Sequence, residues 1–171
     1  MTQIISPALE IMVVDDEVDW RNDIEADLKY KGYNPFSLTN SFQAIEEVTR
    51  RLCNGRKLPF VYLSDILDMN QDRIAGVIED RCGEFKTVYR NMALDLYQFL
   101  KRRGMSSHLI ACTCHISPED REIAKRFGFP LITKSPEDFD KYFPDIKDCK
   151  THEESAKRFS ENYKKVTKRD K

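Results

Sequence analysis

At 171 residues, 40% hydrophobic and 33% charged, the chain is long enough for a single domain with a substantial core. A net charge of −1 excludes a globally basic nucleic-acid binder, and no apolar run approaches the length of a membrane span. The first residues lack the basic-then-apolar profile of a leader. The five cysteines (Cys53, Cys82, Cys112, Cys114 and Cys149) do not suggest a disulfide framework, so reduced thiols in the cytosol are expected.

In chain order, Ile11-Met12-Val13-Val14 reads as a buried strand running directly into Asp15-Asp16-Glu17. Trp20, Ile24 and Leu28 then recur every fourth residue, which predicts a helix over 18–31 stopped by Gly32. Pro35-Phe36-Ser37-Leu38 is a second strand, and proline at its start suits a sheet edge. Ser41 opens a helix carrying Phe42, Ile45, Val48 and Leu52, and Asn54-Gly55 breaks it. Phe60-Val61-Tyr62-Leu63 is a strand with both faces apolar, hence central, with Asp65 at its C-terminal end.

The next confident helix spans about 91–103, with Met92, Leu96, Phe99 and Leu100 on one face. Connections in α/β units usually run ~2–6 residues, so the charged stretch 70–90 is an insertion or a long helical extension. It serves as a surface excursion, a lid or a partner surface. His108-Leu109-Ile110-Ala111-Cys112 is a fourth strand ending in Thr113. Ser117-Pro118-Glu119-Asp120 carries a helix start signal, with serine as N-cap and an acid at the third position. Leu131-Ile132 forms a short fifth strand ending in Thr133-Lys134, and Ser135-Pro136-Glu137-Asp138 repeats the start signal. Five alternations of strand and helix predict a parallel sheet with helices on both faces.

The end of the chain differs in charge. Residues 150–171 hold 8 Lys or Arg against 4 Asp or Glu. Thr151 and Glu154 form a capping-box pair, and Ala156, Phe159, Tyr163 and Val166 fall on one side of a basic helix. The expected division is a domain over 1–149 followed by this amphipathic helix over 150–171. The helix docks on its own domain, frays as a terminus, or offers its apolar side to a partner helix or a second copy, and a homodimer forms through it or through the sheet-edge helices.

The strand ends bring Asp15, Asp16, Asp65, Thr113 and Lys134 to one edge of such a sheet, where open α/β sheets place their ligand crevice. Carboxylates held together repel, and a hard cation such as Mg²⁺ resolves this through oxygen ligands. A hydroxyl and an ammonium on the far side suit a transferred phosphoryl group, with Asp65 as the nucleophile that becomes an acyl phosphate. Asp68 is a competing acceptor, but Pro59 six residues before Asp65 favours the latter. Cys112, Cys114 and His115 lack a second ligand pair and read as structural. Strand alternation puts the two cysteines on one face and Thr113 on the other.

The order Asp-Asp, then Pro-x-x-x-x-x-Asp-Ile, then Thr, then Lys resembles the receiver domain of bacterial two-component response regulators over roughly residues 11–143. The resemblance implies a flavodoxin-like, doubly wound five-stranded parallel sheet in the order 2-1-3-4-5. It implies Asp65 as the acceptor of a phosphoryl group from a histidine kinase or phosphotransfer protein. Mg²⁺ would be held by Asp16 directly, by Asp15 largely through water, by Asp65, and by the carbonyl of Leu67. Thr113 would be the switch hydroxyl and Lys134 the phosphoryl's ion partner.

Five positions depart from the family pattern. Asp68 and Met69 stand where an apolar residue and proline are usual; Cys114 follows the threonine; Ser135 separates the lysine from Pro136; Leu131 occupies the switch-aromatic position. The expectation is a cytoplasmic, non-enzymatic receiver that signals to a downstream protein partner without an attached output domain, contacting neither nucleic acid nor membrane. The alternative is a pseudo-receiver scaffold that does not undergo phosphotransfer. A Mg²⁺-dependent phosphohydrolase is a third reading, and no dedicated general base supports it.

Overall fold

A computed structural model describes residues 8–66, 74–79, 85–89, 91–105 and 108–169. Its elements, in order, are β1 (Glu10–Val14), α1 (Val18–Tyr30), β2 (Asn34–Leu38), α2 (Ser41–Cys53), β3 (Val61–Asp65), β4 (Ile74–Glu79), β5 (Phe85–Tyr89), α3 (Met92–Arg102), β6 (His108–Thr113), α4 (Pro118–Phe127), β7 (Leu131–Thr133), α5 (Pro136–Tyr142) and α6 (His152–Arg169). Five strands form one parallel sheet in the order β2-β1-β3-β6-β7. Setting β4 and β5 aside, this is the 2-1-3-4-5 order that the family resemblance implies.

Strand composition dictates the layering. Every residue of β3 is buried, because alternate side chains enter two different cores. Ile11, Val13, Val61, Leu63, Ile110 and Cys112 face one layer, which α1, α5 and α6 cover with Ile24, Leu28, Phe139, Tyr142, Phe159 and Val166, joined by Phe143 just after α5. Met12, Val14, Tyr62, Leu109 and Ala111 face the other, which Ala44 and Val48 of α2, Leu96 and Leu100 of α3 and Ala124 of α4 cover. Pro35 lies in the edge strand β2, where its missing N–H costs no ladder bond to a further strand.

The stretch predicted as an insertion or helical extension carries an antiparallel hairpin instead of a helix. Strand β4 pairs with β5 from Ile74↔Tyr89 to Glu79↔Phe85, with a register shift between Ile74 and Gly76. Its β-branched and aromatic content (Ile74, Val77, Ile78, Thr87, Val88, Tyr89) explains the choice of strand. Gly76 stands at the irregularity, as bulges favour.

Capping separates the two matching start signals. Ser117 and Asp120 make a reciprocal capping box at α4. At α5, Ser135 caps Asp138 N–H, but the Asp138 carboxylate turns to the N–H and hydroxyl of Thr133, at 2.9 and 2.6 Å. Asp138 thereby ties α5 to the strand that precedes it. The capping pair at the start of α6 is also one-sided: Thr151 Oγ1 accepts from Glu154 N–H at 3.1 Å, while Glu154 accepts from Lys150 N–H at 2.7 Å.

Helix α6 turns its apolar side inward. Phe159 is fully buried, edge-on to Tyr33, Phe60 and His108. Tyr163 stacks on Phe159 and donates its hydroxyl to Leu109 C=O at 3.4 Å. The side foreseen for a partner helix is therefore occupied within the chain. Among the described residues, no helix is long and apolar enough to cross a membrane, and Cys53, Cys112, Cys114 and Cys149 are all free thiols.

Candidate functional site

The acids converge because β1 and β3 are parallel neighbours ending at the same level, with Val14 in register with Ser64. Asp15 follows β1 and is fully buried; its N–H still reaches Leu38 C=O at 3.0 Å, so it continues the ladder with β2. Its Oδ1 accepts from Glu17 N–H at 2.9 Å, and Arg21 donates to its backbone carbonyl. Asp65 closes β3 at 7% exposure and accepts from Ile66 N–H at 2.6 Å. Asp16 is half-buried at the mouth. One ligand oxygen from each of these three carboxylates lies within 4.8 Å of the others.

Lys134 leaves the end of β7, and its N–H donates to Thr113 C=O at 2.9 Å. Its side chain extends to the acids, bringing Nζ to 2.7 Å from Asp15 Oδ2 and 2.8 Å from Asp65 Oδ2. That side chain is only 5% exposed. Glu17 lies 3.5 Å from the same ammonium at the rim, and the Trp20 ring centroid lies 4.6 Å away. One buried cation thus serves two buried carboxylates.

The charge balance sets the protonation behaviour. Burial, then the charge of Asp15, pushes the Asp65 carboxyl up to about 7 against the opposing pull of Lys134. Burial also raises Asp15, again with Lys134 opposing. Burial disfavours the Lys134 ammonium, but its contacts with Asp15 and Asp65 outweigh that and hold its pKa above the ordinary lysine value. These groups titrate as a set, since each carries the others' field.

Thr113 is buried at the end of β6, and its hydroxyl donates to His115 C=O at 3.3 Å, a long bond. Cys112 is in register with Asp65 on the neighbouring strand, and burial holds its thiol well above the usual range. Cys114 lies beyond the strand and is exposed, so the two cysteines do not share a strand face. Leu131 is half-buried at the start of β7. Leu67, Asp68 and Met69 lie outside the described residues. Residue pattern foresaw the acids and the lysine; it did not foresee that Glu17 and Trp20 would share the Lys134 ammonium. No spacing links residues so far apart, and only the sheet order brings them together.

A five-stranded parallel sheet in this order, with paired acids after the first strand, an acid after the central strand and a lysine after the last, is a specific combination. The fold is that of a receiver domain. Solved receiver structures bear this out. Vibrio cholerae chemotaxis protein CheY4 aligns over 75% of this chain and 88% of its own, with a TM-score of 0.53 and 15% identity. The signal receiver domain of a putative Luxo repressor protein from Vibrio parahaemolyticus aligns over 95% of each chain, with a TM-score of 0.54 and 12% identity.

A chain of the Saccharomyces cerevisiae co-crystal of the histidine phosphotransfer protein Ypd1 with the Ssk1 receiver domain aligns over 81% of this chain and 88% of its own, with a TM-score of 0.56 and 15% identity. No protein-family profile matches the sequence, and no curated protein matches it. At such identities the likeness is one of fold, and the receiver fold alone does not assign chemistry.

Proposed function

We propose that the chain is a two-component phosphorelay receiver that accepts a phosphoryl group on Asp65 from a histidine kinase or histidine phosphotransfer protein, with Mg²⁺ in the acidic cluster. One observation carries this reading: Asp65, at the end of the central strand, sits in a cluster of three carboxylates and holds Lys134 Nζ at 2.8 Å. The Ypd1–Ssk1 co-crystal, a phosphotransfer protein with a receiver domain, supports the class of donor.

The donor set fits a hard divalent cation. It is all oxygen and carries three carboxylates, with half-buried Asp16 at the mouth. Asp16 and Asp65 would hold Mg²⁺, with Asp15 contributing largely through water; the family pattern adds the Leu67 carbonyl. When bound, the ion supplies positive charge that neutralises the acids and the phosphoryl oxygens. Positive charge in the cluster favours the ionised form of Asp65, which is the nucleophile.

In the reaction, a carboxylate oxygen of Asp65 attacks phosphorus. The P–O bond forms as the P–N bond of phosphohistidine breaks, and the imidazole leaves neutral with the proton already on its other ring nitrogen, giving an acyl phosphate. Lys134, already on Asp65 Oδ2, pairs with a phosphoryl oxygen as charge passes outward. The Thr113 hydroxyl exchanges its long bond to His115 for one to the phosphoryl group. The chain is then a stoichiometric acceptor rather than a turnover catalyst, and it acts in the cytoplasm through contact with a downstream protein.

The test is intact-protein mass spectrometry after incubation with a small phosphodonor, with and without Mg²⁺, on wild type and Asp65→Asn. A Mg²⁺-dependent gain of one phosphate that the variant lacks is expected. No adduct in freshly quenched wild-type samples would refute phosphotransfer and leave a receiver-fold scaffold. Ser135 and Leu131, at positions where the family carries proline and an aromatic, favour that second reading.

A further inference from the structure

Trp20 is the single tryptophan of the chain. It stands in the first turn of α1, packed against the core layer that α1, α5 and α6 share. Its ring centroid lies 4.6 Å from Lys134 Nζ. The same ammonium meets Asp15 at 2.7 Å, Asp65 at 2.8 Å and Glu17 at 3.5 Å. A lysine ammonium on a flexible four-carbon stem is among the least constrained side-chain groups. Here the aromatic face limits where it can go, and the acids draw it into the pocket.

We propose that Trp20 is a positioning residue for Lys134, and that by holding the ammonium at the acid pocket it sets how tightly the carboxylates take a divalent cation. The inference rests on the Mg²⁺-assisted acceptor reading and adds to it a residue that touches neither metal nor phosphate. Its logic is competition. Lys134 and an incoming cation draw on the same two carboxylates, Asp15 and Asp65. The more firmly the ammonium is held, the more of that attraction an incoming cation must displace. Ammonium–aromatic attraction is strongest for tryptophan and grows with desolvation, and this lysine side chain is 5% exposed.

Two measurements test it. In metal-free protein, the emission of Trp20 is compared between wild type and Lys134→Met. Loss of the facing charge shifts the emission, and an unchanged spectrum would overturn the contact. Mg²⁺ is then titrated calorimetrically into wild type, Trp20→Phe and Trp20→Leu. Binding to Trp20→Leu is expected to be about three- to tenfold tighter, with Trp20→Phe roughly twofold tighter because its ring is weaker.

Equal affinity in all three, with only the melting temperature lowered, would make Trp20 a packing residue and overturn the inference. If Trp20→Leu does not fold, Trp20→Phe decides, and an unchanged affinity overturns the inference. A wild type that takes up no Mg²⁺ while the emission shift persists has a different meaning. It refutes the acceptor reading itself, together with the metal-tuning role, and leaves the Trp20–Lys134 contact standing.

Discussion

Replacing Asp65 with asparagine should stabilise the metal-free protein even though it breaks an ion pair. Asp15 is fully buried and Asp65 is 7% exposed, and the two share one ammonium at 2.7 and 2.8 Å. Two buried negative charges against one positive leave an uncompensated carboxylate, which burial penalises. The substitution leaves a one-to-one pair between Asp15 and Lys134, and the asparagine carbonyl can still accept from Ile66 N–H. The sign follows from the raised carboxyl of Asp65, about 7 in the folded state against about 3.9 in an unfolded chain.

Above that folded value both states are ionised and the full penalty applies. As pH falls through it the folded state takes up a proton and the penalty shrinks, vanishing below the unfolded value. The pKa gap sets an upper bound of a few kcal/mol at about 1.4 kcal/mol per unit. That folded value already includes the pull of Lys134, and the cost of burying an asparagine amide in place of the carboxyl reduces the gain to roughly 1–2 kcal/mol. For a chain of this size that is a gain of about 2–8 °C in Tm. The assay is a pair of thermal melts with a chelator present, near pH 8 and near pH 5. A gain at the higher pH that shrinks at the lower is expected. A loss of stability near pH 8, or a gain indifferent to pH, would refute the charge argument.

Three further outcomes are expected. Mg²⁺ at a hundredfold excess over its Kd should stabilise wild type by about 2.7 kcal/mol in thermal-shift titrations, and Asp16→Asn should abolish most of that response. Phe159→Ala removes a fully buried ring that meets Tyr33, Phe60, His108 and Tyr163. It should cost about 3–5 kcal/mol in urea unfolding, whereas Lys157→Ala should stay within about 0.5 kcal/mol. Burial lowers the His108 pKa below its ordinary value, so the unfolded state binds the proton more readily. Stability from this site is complete above about pH 6.5 and is lost as pH falls below it. Urea midpoints for His108→Phe, compared with wild type across that range, should lack this acid-side loss.

Parts of this structure that depend on local periodicity and strand ends were readable in advance. Strand β3 announced itself as central because four consecutive apolar residues leave no solvent face, and its burial on both sides agrees. The acids and Lys134 were legible as a group because parallel strands deliver their C-terminal ends to one edge. The hairpin of β4 and β5 was not, since short apolar runs within a charged stretch fit either period until a pairing partner is known. Ser117 and Ser135 carry the same start signal, yet Asp138 serves Thr133 where Asp120 closes its own box. Side chains with two possible partners are resolved by the tertiary surroundings. The Trp20–Lys134 contact belongs to the same class, because it exists only once β7 has taken its place in the sheet.

The two core layers also differ in when the growing chain can complete them. The buried residues of the layer under α2, α3 and α4 run from Met12 to Phe129. Those of the opposite layer run from Leu9 to Val166, so that layer is complete only once the last helix is in place. During synthesis, the first side has all its parts while the second still awaits Phe159 and Val166. Over that interval Val61, Leu63 and Ile110 form a sheet face with half a roof, the kind of apolar surface that invites wrong partners in a nascent protein. Closure by α6 therefore ends the exposure of the sheet as well as adding to its stability.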